Sequence, residues 1–225
     1  MSNRLLECVE IETGPRPEKS VVWLHGLGAS GHDFEPILPY LGLPASSSVR
    51  FVFPHAPEIP VTLNMGMVMP AWYDIVELDL KRRHDEAGVR RSQEQVLALM
   101  AREQERGTPS EDLVLAGFSQ GGAVALYTAL RFEETLAGCL ALSTYLVGDE
   151  ELDRERSPIN QEIPIFQGHG RFDPMVPLDR GEHCRDRLVE LGYRSIWREY
   201  PMQHEVCMDE IVDVGAWLTE VLRLG

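Results

Sequence analysis

The stretch "DLVLAGFSQGGAVALYTAL", residues 112–130, sets a serine between two glycines where an apolar run gives way to a helix-like pattern. Gly117-Phe118-Ser119-Gln120-Gly121 fits G-x-S-x-G, a pattern that has its meaning only between a strand and a helix joined by a sharp turn. Here "DLVLAGF" supplies the strand, Ser119 the turn and "QGGAVALYTAL" the helix. Such a turn strains the serine backbone and crowds the chain beside it, so the positions two before and two after must lack side chains. Gly117 and Gly121 meet that need. Ser119 is therefore expected at the carboxyl end of a strand, its hydroxyl exposed and a helix N-terminus behind it.

Outward from this point, short apolar runs alternate with longer amphipathic ones. Strands are predicted over 5–11, 20–25, 50–54, 112–118, 137–143, 163–169 and 195–201, several bounded by Gly, Pro or polar clusters. Helices are predicted over 32–42, 88–107, 120–132, 177–192 and 206–224. This alternation predicts a mainly parallel α/β sheet of about seven strands with helices on both faces, which binds ligands at the carboxyl ends of its strands. The stretch "PEIPVTLNMGMVMPAWYD" (57–74) fits neither period and reads as a long ordered loop. No repeat and no Gly/Ser-rich linker divides the chain, so residues 1–225 are expected to form one domain.

At 225 residues and 44% hydrophobic content, the chain can bury a core of ordinary density. No apolar run approaches the roughly 18 residues that a spanning helix needs, and the start "MSNRLLECVEIETGPRPEKS" lacks the layout of a signal peptide. The four cysteines (Cys8, Cys139, Cys184, Cys207) show no metal spacing and are expected as reduced thiols in the cytoplasm. A net charge of −15 repels polyanions, so nucleic acid is not expected as a partner and docking on anionic lipid is disfavoured; without a spanning run, stable membrane insertion is not expected either. A homodimer is left open.

A serine hydroxyl needs a base to accept its proton, and a histidine is the usual choice. Of seven histidines, His204 follows the strand "SIWREYP" and precedes the last helix. His25 and His169 are each followed by glycine and read as turn elements; His32, His84 and His183 fall in polar segments, and His55 reads as packing or groove wall. The base in turn needs an acid to orient it. Asp173 lies just past a predicted strand, 31 positions before His204, whereas its competitor Asp179 falls within a solvated helix face. The order Ser119, Asp173, His204 is that of hydrolases built on this kind of sheet. Donors for an oxyanion are expected from the backbone of Gln120 and, in the glycine-bent turn "HGLGASGHDF" (25–34), of Leu27. That turn carries neither of the glycine-rich phosphate-binding patterns.

Together, "VVWLHGLGASGHDF", "RFVFPHAPEIPVT", "PAWYDI", "LVLAGFSQGGAVAL", "LALSTYL", "IPIFQGHGRFDPMVP" and "YPMQHEV" resemble the phospholipase/carboxylesterase group of α/β-hydrolases, which includes bacterial carboxylesterases and acyl-protein thioesterases. The resemblance covers most of the chain in order. It implies an α/β-hydrolase fold without a large cap, a Ser119–Asp173–His204 triad, and an oxyanion hole of the Leu27 and Gln120 amides. It also implies hydrolysis of an acyl ester or thioester without cofactor or metal. Within it, "VTLNMGMVMPAWYDI" looks more like the bacterial esterases. The expected activity is that of a serine carboxylesterase on short to medium acyl chains, the alternatives being an acyl-protein thioesterase, a lysophospholipase or a non-catalytic binding protein of this fold. Because methionine adapts to ligands of different shape, Leu63, Met65, Met69, Trp72 and Val176 are expected to wall the acyl groove.

Overall fold

The computed structural model describes residues 5–76 and 85–225. Its strands are β1 (Cys8–Glu12), β2 (Lys19–Leu24), β3 (Val49–Pro54), β4 (Glu58–Val61), β5 (Met67–Pro70), β6 (Leu113–Phe118), β7 (Gly138–Leu142), β8 (Ile165–Gly170) and β9 (Ser195–Tyr200). Its helices are α1 (Glu86–Glu105), α2 (Gln120–Ala129), α3 (Asp149–Glu155), α4 (Leu178–Glu190) and α5 (Met208–Val221). Seven strands form one sheet in the order β1-β3-β2-β6-β7-β8-β9. Only β1 runs antiparallel, against β3.

The central strands β2, β3, β6, β7 and β8 are buried almost throughout because both of their faces are covered, as parallel sheets require, whereas the edge strands β1 and β9 are partly exposed. On one face Val22, Leu24, Leu113 and Leu115 pack with α1, α2 and α4; on the other Val21, Trp23, Val114 and Ala116 pack with Phe34 and α5. Successive residues thus enter different cores, which is the period of two built into a strand. Helix α1 starts where the Asp85 side chain accepts from the Gly88 amide at 2.9 Å, a capping bond that satisfies one of the free amides of the first turn.

Two expectations are corrected. Residues 57–74 are not a loop: β4 and β5 pair antiparallel as a separate two-stranded ribbon, Ile59 opposite Met69. Alternation appears in a sequence only when one face is buried, and this ribbon leaves Met65, Met67 and Val68 exposed. The helix predicted over 32–42 is a 3-10 turn, Glu35–Tyr40, with Pro36 and Pro39 inside it, since a proline inside an α-helix removes a hydrogen bond and clashes with the preceding turn. Helix α3 lies in a stretch with no prediction.

Candidate active site

Ser119 sits between the end of β6 and the first residue of α2, with φ 54° and ψ −122°. This left-handed backbone costs roughly 1–3 kcal/mol and survives only where its surroundings over-determine it. They do so here. The Ser119 amide donates to Leu142 O at 2.9 Å, and Ser119 O accepts from Thr144 Oγ1 at 2.6 Å and from the Ala123 amide at 3.1 Å. A Cβ on Gly117 would press into the backbone of Gly121, and one on Gly121 into the carbonyls of Leu24 and His25. The two glycines are thus demanded by the turn on one side and by the neighbouring strand on the other.

The segment between β9 and α5 brings His204 over this turn. Its Nε2 lies 2.9 Å from Ser119 Oγ, its Nδ1 lies 2.6 Å from Asp173 Oδ2, and its ring packs on Phe118 at 4.7 Å between centroids. Asp173, in the turn after β8, is buried, and its Oδ1 accepts from the Met175 and Val176 amides at 2.8 Å each. Burial alone would raise this carboxyl, but the bonds from His204 and the two amides outweigh it and hold Asp173 below its ordinary value. The carboxylate therefore stays ionised beside the ring. Asp179, the competitor, is exposed in the first turn of α4.

The turn after β2 faces the serine from the other side, and among the described residues neither the Leu27 nor the Gln120 amide has an acceptor. Side chains behind it fasten the two halves of the site. Gln120 accepts from the Trp72 amide at 2.9 Å and donates to Tyr73 O at 2.7 Å, while Trp72 Nε1 donates to His25 O at 2.8 Å. His25 Nε2 accepts from the Ala56 amide at 3.0 Å, which leaves the ring proton on Nδ1 for Gly26 O at 2.7 Å. Burial lowers the His25 pKa and keeps the ring neutral.

A cavity of about 370 Å³ opens from Ser119 and His204, with Leu27, Leu63, Val176 and, unforeseen from the sequence, Phe34, Phe118 and Tyr145 among its walls. Of the five residues expected in the groove, Leu63 and Val176 line it. Three do not. Met65 is 94% exposed at the ribbon tip, in a left-handed conformation that turns it to solvent. Met69 is engaged at its sulfur by the Asn64 amide group at 3.2 Å beside Gly28, and Trp72 is buried behind the turn through the bonds just described. His25 and His169 are likewise corrected: both are buried braces against backbone carbonyls, not turn elements. His55 accepts from the Gly31 amide at 3.2 Å, outside the cavity. His32 and His183 are exposed, and His84 lies outside the described residues. Phe34 and Phe118 could have been found, since each adjoins a glycine-bearing turn of the site; Tyr145 had no such signal.

A seven-stranded, mostly parallel sheet with a serine on a sharp strand-to-helix turn, and an imidazole and a carboxylate reaching it from later strands, defines the α/β-hydrolase class. Within that class the resemblances are specific. The chain belongs to the phospholipase/carboxylesterase family, whose model matches residues 6–222. It is 39% identical over 216 residues to acyl-protein thioesterase 1 of Neurospora crassa, an alignment covering 92% of this chain and 88% of that protein. Among solved structures it is similar to Arabidopsis thaliana SOBER1 (TM-score 0.85, 31% identity, covering 91% of this chain and 99% of that one). It is also similar to Zea mays acyl-protein thioesterase 2 (TM-score 0.85, 28% identity, covering 96% and 99%).

Proposed function

We propose that the protein hydrolyses short to medium acyl esters and thioesters through a covalent acyl-enzyme on Ser119. The observation that carries this reading is the unbroken relay from Ser119 Oγ to His204 at 2.9 Å and from His204 to Asp173 at 2.6 Å, at the floor of an apolar cavity. His204 Nε2 removes the Ser119 proton as Oγ attacks the acyl carbonyl, and the imidazolium formed is held by ionised Asp173. The Leu27 and Gln120 amides donate to the oxyanion; Gln120 does so as the first residue of α2, where the amides have no partner within the helix. His204 then protonates the departing alcohol or thiol. It next takes a proton from water as the water attacks the acyl carbonyl, and gives that proton to Ser119 Oγ as the acyl bond breaks, releasing the acid and restoring the serine hydroxyl.

Leu27, Phe34, Leu63, Ile75 and Val176 are apolar walls, and each methylene they bury contributes about 0.8 kcal/mol. At about 370 Å³ the cavity lies near the small end of ligand sites, which supports short to medium chains. A second reading, an acyl-protein thioesterase, is favoured by the 39% identity to a protein of that name. Ser119→Ala is expected to lower turnover of p-nitrophenyl butyrate by roughly a million-fold with an unchanged fold; a variant retaining a few per cent of wild-type activity would remove this mechanism. Side-by-side turnover of a short ester, a lysophospholipid and an acylated cysteine peptide separates the substrate classes.

A further inference from the structure

His169 occupies the penultimate position of β8 and is 1% exposed, so its ring is held rather than free. Its Nε2 lies 2.9 Å from Val176 O, and a carbonyl accepts only, so Nε2 carries the proton. Its Nδ1 faces Gly181 of α4, where a Cβ would collide with the ring. The neutral ring is the form that burial favours. One side of the imidazole is stacked on Trp197, 5.9 Å between centroids.

The bonded partner of this ring is what gives it a function. Val176 is joined to the site three ways: its carbonyl accepts from His169, its amide donates to Asp173 Oδ1, and it lines the cavity. His169 Nε2 also stands 3.9 Å from Asp173 Oδ2, the oxygen that holds His204. The N–H is too far to compete for that oxygen. It pins the turn that supplies both amides to Asp173.

We infer that His169 is a positioning residue, whose Nε2–H fixes the Asp173–Val176 turn and so sets both the aim of the acid and one wall of the acyl cavity. The inference rests on the relay described under Proposed function for its effect on turnover, but not for its effect on the turn. A hydrogen bond that orients a group beside the reacting atoms is worth about tenfold in rate.

The test is a set of three variants read two ways. A glutamine amide reaches the position of Nε2, an asparagine amide only that of Nδ1, and a methionine fills the volume with no donor. Amide exchange of Met175 and Val176 should accelerate about tenfold in His169→Met and His169→Asn and stay near wild type in His169→Gln. For p-nitrophenyl butyrate, kcat should fall about tenfold in the first two and within about threefold in the last. A residue that only fills space would rank methionine best, so wild-type exchange and kcat in His169→Met, or a glutamine variant no better than methionine, overturns the inference. Should His169→Met not fold, the glutamine and asparagine pair still decides it. Should Ser119 prove unreactive in the wild type, the exchange ranking stands alone and the failure belongs to the proposed function.

Discussion

Asp173 and Glu210 are two buried carboxyl groups that adjoin the same strand, β8, and they are held in opposite ways. Asp173 accepts two backbone amides and the His204 ring, and stays below its ordinary pKa. Glu210, in the first turn of α5, lies against Gly168, and neither of its oxygens has a hydrogen-bond partner among the described residues. Burial, with Asp213 nearby, pushes Glu210 up to about 8. At neutral pH one is a carboxylate and the other an acid. Burial alone therefore does not keep a carboxyl group ionised; the donors do, and they come from a turn whose geometry the sequence must specify.

That contrast is open to breakage first at Asp173. Replacing it by asparagine keeps the shape but favours the wrong tautomer of His204, and kcat is expected to fall by roughly four orders of magnitude. Steady-state kinetics on p-nitrophenyl butyrate measures this, and a loss of less than about tenfold would mean that the carboxylate is not what aims the ring.

The second contrast is in stability. An unfolded Glu210 releases its proton near the ordinary 4.5, whereas the native group holds it to about 8. Between these values the native state binds the extra proton, so the stabilisation is complete below the lower value and is lost as pH rises to the upper one. Asp173 has the reverse sign, adding stability above its ordinary value that is lost as pH falls through its lowered one. Glu210→Gln should flatten the decline between pH 5 and 8, a change on the order of a few kcal/mol in denaturant titrations. Parallel pH profiles for wild type and variant would show that Glu210 is ionised in the fold.

These two acids also show what was legible in the sequence. Asp173 could be found because it follows an apolar run and precedes His204 at a spacing that a parallel sheet explains. Glu210 sits in "CMDEIVDVGAWL" and looks like part of a solvated first turn, although its spacing to Val214 and Trp217 puts it on the buried face. The Gly117–Gly121 turn was legible for a steric reason, and so were the central strands of the main sheet, which are apolar because they are covered twice. The β4–β5 ribbon was not, because little of it is buried and Pro60, Gly66 and Pro70 interrupt any pattern. Counting apolar residues there located a cluster but not its direction, which is why Leu63 reaches the cavity and Met65 points away.

Smaller effects sharpen this last distinction. Leu63→Trp narrows the cavity at a partly exposed wall, and kcat/KM should fall by about fourfold for each methylene of acyl chain it excludes, leaving acetyl esters nearly untouched. Met65→Ala, at the ribbon tip outside the cavity, should leave the whole chain-length profile of p-nitrophenyl esters unchanged. A shift in that profile on Met65→Ala would place the acyl chain along the ribbon instead.

The acyl-enzyme on Ser119 is tested most directly by intact-protein and peptide mass spectrometry after rapid acid quench of wild type with p-nitrophenyl butyrate. One added butyryl group is expected, located on Ser119, abolished in Ser119→Ala and accumulating when deacylation is slowed. Turnover by the wild type with no acyl group on Ser119 under any quench time, or with the group on another residue, would contradict it.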